Sequence, residues 1–79
     1  MVNTRTAPRH RVSKAAKIEF LDNTISCVVR DLSLTGAAIE ASVRSGIPER
    51  FTLIMPDDGL RLACRVAWRR EYRMGVAFE

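Results

Sequence analysis

The chain has 79 residues, of which 47% are hydrophobic and 28% charged, a balance too apolar for a disordered tail and too mixed for a fibrous repeat, and a length that supports one small domain and excludes two. Thirteen Lys and Arg against nine Asp and Glu leave a formal charge of +4, and eleven of the thirteen bases are arginine; a planar guanidinium binds phosphate bidentately and stacks on flat rings, which favours an anionic partner. No stretch approaches the roughly 20 apolar residues of a membrane span, and residues 1–11 lack the apolar core of a secretory leader, which predicts a soluble, cytoplasmic protein.

In chain order, Arg5, Arg9, Arg11, Lys14 and Lys17 all precede the first acid, Glu19, and Pro8 interrupts any regular element. Residues 1–13 therefore read as a flexible basic arm, with the barrel itself over 14–79. From about Lys14 the pattern has period two, with Ala16, Ile18 and Phe20 on one face, which predicts a strand. Asp22 and Asn23 supply turn chemistry, and Ile25, Cys27 and Val29 share the face of a second strand. After Asp31 to Thr35, Gly36 opens a run in which Ala37, Ile39 and Ala41 share a face; alanine is a poor strand former, but the position between strands favours a third. Ser42 to Glu49 reads as a loop, Phe51, Leu53 and Met55 alternate on a fourth strand, and Pro56 to Gly59 is a tight turn.

The fifth strand has the plainest alternation, with Leu60, Leu62, Cys64, Val66 and Trp68 inward and Arg61, Ala63, Arg65, Ala67 and Arg69 outward. A turn at Arg70 to Arg73 leads to Met74, Val76 and Phe78 on a sixth. Six short strands with no helix predict an all-β, six-stranded antiparallel small barrel, a closure that removes exposed sheet edges. Cys27 and Cys64 are isolated among apolar residues and read as buried free thiols rather than a disulfide or zinc pair.

Catalysis finds no support. One histidine, His10, sits in the arm, no nucleophile and base fall together, and no GxxxxGK phosphate loop exists. Two features remain. Arg5-Thr6-Ala7-Pro8-Arg9 sets two arginines four apart, and Pro8 holds Ala7 extended, so the pair spans up to about 14 Å. Asp31-Leu32-Ser33-Leu34-Thr35-Gly36 sets a carboxylate and a hydroxyl on one side of a strand end, with Leu32 and Leu34 free to anchor the other; Gly36 allows a positive φ or a close backbone approach. Each feature alone is ordinary: Arg61, Arg65, Arg69 and Arg73 are also four apart, and Asp-x-Ser-x-x-Gly also serves as turn chemistry. An arginine pair followed about 22 residues later by Asp, Ser and Gly is the more specific combination.

In that combination the sequence resembles the PilZ domain family of small β-barrels that sense cyclic di-GMP. Arg5 and Arg9 fit the family's RxxxR motif, Asp31, Ser33 and Gly36 fit its [D/N]xSxxG motif, and Val66-Ala67-Trp68 through Met74 to Phe78 resembles its closing strand pair. The resemblance implies a cyclic di-GMP receptor without a cofactor, in which Arg5 and Arg9 hold phosphates and guanine, Asp31 and Ser33 contact guanine, and Gly36 leaves room for the ligand. It further implies that ligand binding reorders the arm and presents a changed surface to a protein partner. Guanine's O6 and N7 suit an arginine fork, and its N1 and N2 hydrogens suit a carboxylate such as Asp31. Thr4 precedes the motif where many relatives carry a basic or bulky residue, so one or two ligand molecules per site both stay open. With the last predicted strand reaching Phe78, the reading expects no C-terminal helix of the kind that many relatives pack over the barrel.

Two other readings use the same residues. One is a barrel that works only as a protein-interaction module and does not bind the nucleotide; charge reversal at Arg9 discriminates it. The other is a basic barrel for single-stranded nucleic acid along Arg61, Arg65 and Arg69, disfavoured because alternation leaves Tyr72 as the sole outward aromatic where such surfaces stack several bases.

Overall fold

A computed structural model describes residues 9–42 and 46–79. Six strands form: β1 (His10–Phe20), β2 (Asn23–Leu32), β3 (Gly36–Glu40), β4 (Arg50–Met55), β5 (Leu60–Arg70) and β6 (Arg73–Phe78). Every pairing is antiparallel, and the sheet closes in the order β1-β2-β3-β6-β5-β4. The expected all-β barrel is the fold. Pro56–Asp58 forms one short 3₁₀ turn that Gly59 ends in the left-handed region, and no described residue lies in an α-helix. No helix is long and apolar enough to cross a membrane among the described residues.

Alternation explains the core. Ala16 and Ile18 of β1, Cys27 and Val29 of β2, Ile39 of β3, Phe51, Leu53 and Met55 of β4, Cys64 and Val66 of β5, and Met74 and Val76 of β6 are buried together. One inward residue from each repeat of the pleat fills a small barrel, as period-two patterning requires. Ile47, from the segment read as a plain loop, is buried with them and plugs the same core. No charged or polar residue is buried among the described residues.

The structure corrects the sequence reading in several places, among them Leu60, expected inward and 41% exposed. β1 starts at His10 rather than near Lys14: His10 and Arg11 pair with Leu32 and Asp31 beyond a bulge that interrupts the alternation, so residues 10–13, assigned above to the arm, extend the strand. The first hairpin turn is Leu21 and Asp22, because Phe20 pairs directly with Asn23, and Leu21 takes a φ of 52°. Leu34 anchors nothing and is 88% exposed, whereas Leu32 packs on the core. Trp68, expected inward, is 44% exposed.

Leu34 lies beyond the end of β2, in the connection to β3, and so has no strand to turn it inward; Trp68 is turned by a bulge. Bulges interrupt β2 between Val29 and Asp31 against β3, and β5 between Val66 and Trp68 against β6. An extra residue in one strand reverses which face the following side chains occupy. Arg30 is the extra residue in β2, so Leu32 turns inward. Ala67 is the extra residue in β5, so Trp68 turns out.

Candidate functional site

Both bulges lie at the same end of the barrel, and what they re-aim converges there. A cavity of about 170 Å³ is lined by Arg9, Asp31, Ser33 and Gly36 together with Trp68 and Gly75. Four of the five residues singled out in the sequence thus meet at one mouth. The fifth, Arg5, lies outside the described residues. The volume is below the range of about 300–1,000 Å³ typical of a complete small-molecule pocket.

Each member has a local reason for its place. Arg9 is exposed and directly precedes β1. Asp31 sits on β2 opposite Arg11 of β1 and opposite Ala38 of β3, on the bulge itself. Ser33 shapes the β2–β3 connection. Its hydroxyl oxygen accepts from the amides of Thr35 and Gly36, both at 3.2 Å, and lies 3.3 Å from both the Gly36 carbonyl and the Thr35 hydroxyl, one of which takes its single proton. The Ser33 amide donates to the Gly36 carbonyl at 2.9 Å. This side chain closes a tight loop as serine does in turns generally.

Gly36 is required by the barrel more directly than by any ligand. Its φ is not positive. A Cβ there would fall against the Val76 backbone carbonyl of β6, closer than real Cβ atoms approach, so glycine lets β3 and β6 come together at the cavity floor. Gly75 does the same for the indole: a Cβ there would strike the Trp68 ring. Trp68 therefore lies on the bare backbone of Gly75, with the Arg70 guanidinium carbon 5.9 Å from its ring centroid, within reach of a cation–π contact.

Trp68 is the site residue that alternation missed. A mid-strand glycine facing an aromatic across a strand pair is the signal that could have found it, since such a glycine marks a close approach. Strict period-two counting over β5 hid it, because no side chain near Ala67 announces the bulge.

Beside the first cavity runs a polar groove of about 540 Å³ that shares Arg9 and Asp31 and adds Arg11, Val12, Arg30 and Arg73. The arginine stripe of β5 is differently disposed. Arg61 pairs with Glu19 at 2.6 Å, Arg65 with Glu79 at 3.5 Å, and Arg69 donates to the Ile47 carbonyl at 2.8 Å. Those cations are held by the barrel's own acceptors, which weakens the nucleic-acid reading, although Trp68 joins Tyr72 among the exposed aromatics.

Both thiols are buried in the core and free. Burial, with the neighbouring Cys64, pushes the Cys27 thiol up to about 12; burial likewise pushes Cys64 up to about 11, against a backbone hydrogen bond at Leu53 that acts the other way. Neither is a nucleophile near neutral pH. No cluster of metal-ligating side chains occurs among the described residues.

A family profile described as PilZ domain matches residues 3–79 of the chain. No curated protein sequence matches the chain.

Proposed function

Because the chain belongs to the PilZ domain family, a family of cyclic di-GMP-binding modules that are generally not enzymes, we propose that it is a cyclic di-GMP receptor that clamps its ligand between the arm arginines and the rim after β2. One observation carries this reading: Arg9, 22 residues before the Asp31, Ser33 and Gly36 motif, lines one cavity with it and with an exposed tryptophan. Arg9 and Arg5 supply forks for two phosphodiesters and a guanine edge, and the Asp31 carboxylate accepts from guanine N1 and N2. The indole of Trp68 offers a flat face for a base, as aromatic platforms do elsewhere, at about 1–3 kcal/mol per stacked base. Ser33 acts by fixing the loop that carries the rim.

Binding in this scheme orders the arm over the wall formed by the barrel, and the ordering cost offsets part of the contact energy. The same coupling makes a switch, because a state favoured only with ligand can display a surface to a protein effector. Isothermal titration with cyclic di-GMP tests the assignment. Saturable heat for the native chain, with affinity lowered at least about tenfold in Arg5→Ala and in Asp31→Ala, is the expected result. Unchanged isotherms for both variants would show that the clamp is misplaced.

A second reading has its own support. Ser33 spends its hydroxyl on the loop and Gly36 its missing Cβ on β6, so part of the motif has work to do even in a barrel that acts only through its surface. Arg9→Glu separates the two: it abolishes nucleotide binding under the first reading and leaves a surface module with no nucleotide response to lose.

A further inference from the structure

The polar groove beside the cavity shares one residue with each motif, Arg9 and Asp31, and its other polar lining, Arg11, Arg30 and Arg73, belongs to neither. Its cations come from three strands. Arg11 stands on β1, Arg30 on the bulge of β2, and Arg73 at the start of β6. Glu40 of β3 lies between the last two and meets each at Nε, 3.2 Å to Arg30 and 3.3 Å to Arg73. One carboxylate thus spaces two guanidiniums across the sheet. No ion pair holds Arg9 or Arg11 among the described residues. Among the described residues, Asp31 in the lining and Glu40 beside it are the acids that meet these four cations, and the groove is left with unspent positive charge.

Three observations say what kind of anion fits. Val12 lines both this groove and an adjoining apolar hollow formed with His10, Leu32 and Leu34, and Leu34 is 88% exposed. A phosphate backbone has nothing to offer those leucines. β1 pairs with β4 only over Lys17 to Glu19, so the stretch carrying Arg11 and Val12 has no strand on its outer side among the described residues. An extended peptide can add there through its backbone. Finally, no aromatic side chain lines the groove among the described residues, which removes the stacking that single-stranded nucleic acid uses.

We propose that the groove formed by Arg11, Arg30 and Arg73, with the Val12–Leu34 hollow beside it, docks an extended segment of a protein partner that carries acidic residues next to an apolar one. Carboxylates meet the guanidiniums and the apolar side chain covers Leu34. Arg9 and Asp31 line both this groove and the first cavity. On the receptor reading given above, a doubly negative nucleotide in that cavity lowers the potential of the groove, so dinucleotide and acidic segment weaken each other, and by equal factors.

The test uses the full chain and a fluorescein-labelled octapeptide of alternating glutamate and leucine, followed by anisotropy. Binding is expected, weakened at least about fivefold by Arg11→Ser combined with Arg73→Ser, and by a similar factor in Leu34→Ser. Raising the ionic strength to about 0.5 M weakens it further, while an alternating glutamate–serine peptide binds less tightly. Arg11, Arg73 and Leu34 do not line the nucleotide cavity; Leu34→Ser, which removes no charge, keeps the native affinity for cyclic di-GMP and reports on the docking surface alone. Added cyclic di-GMP raises the peptide's dissociation constant at least about threefold. No binding of the octapeptide, binding indifferent to all three substitutions, or tighter binding of a short oligothymidylate overturns the docking site. Peptide binding that responds to the substitutions in a chain without affinity for cyclic di-GMP keeps the docking site and removes only its coupling to the nucleotide.

Discussion

At Gly36 the missing side chain faces the Val76 carbonyl across β3 and β6, and the same glycine borders the candidate cavity. A methyl group there has nowhere to go, because its neighbour is backbone. Gly36→Ala is expected to cost about 1–3 kcal/mol of stability by overpacking, read as a lower denaturant midpoint even without ligand. A stable Gly36→Ala protein that failed only to bind nucleotide would give the glycine a ligand role instead. Ser33 makes a parallel case. Its loss frees the amides of Thr35 and Gly36, and Ser33→Ala is expected to destabilise by about 0.5–1.5 kcal/mol with faster amide exchange confined to the β2–β3 connection. The motif residues were legible in sequence because their spacing is unusual. Their division of labour was not, since it depends on how near β6 runs.

Strand alternation made most elements readable: Val29, Ile39, Leu53, Met55, Cys64 and Met74 are inward as the period requires. Alternation fails wherever a strand carries one residue too many, and here two of those places border the candidate site. Ala67 sends Trp68 outward onto Gly75. Gly75→Ala should push the indole off the backbone, which increased acrylamide quenching of Trp68 would detect, and unchanged quenching would contradict the packing. The first hairpin offers an opposite case. Leu21 is exposed and held at a φ of 52°, where a branched apolar side chain is strained and asparagine is at ease. Leu21→Asn is expected to raise stability by about 1 kcal/mol. The turn was misread by one residue because Asp22-Asn23 is the better turn pair by composition, while the pairing of Phe20 with Asn23 decided the register.

For the molecule as a whole, closure puts two cysteines in one dry core. Their ordinary value is 9.0, and the folded barrel holds Cys27 at about 12 and Cys64 at about 11. Raised values in the folded state mean that the unfolded chain gives up its thiol protons first. The unfolded state then binds fewer protons above pH 9, so stability is fully present below that pH and falls between roughly pH 9 and 12. Denaturation midpoints at about pH 8 and about pH 10 should show the decline, and a Cys27→Ala, Cys64→Ala double variant should flatten it. Neither thiol should react with iodoacetamide near pH 8 until the protein is unfolded.

The account turns on the arm arginine and the β2 rim acting on one ligand beside Trp68, and Trp68 is the chain's single tryptophan. Its fluorescence during titration with cyclic di-GMP reads that claim directly. A saturable change in the native protein, abolished by Arg9→Glu and shifted at least about tenfold to higher ligand in Asp31→Ala, is the expected result. An emission spectrum that the dinucleotide leaves unchanged, in a chain that calorimetry shows to bind it, would place the ligand away from this wall and contradict the account.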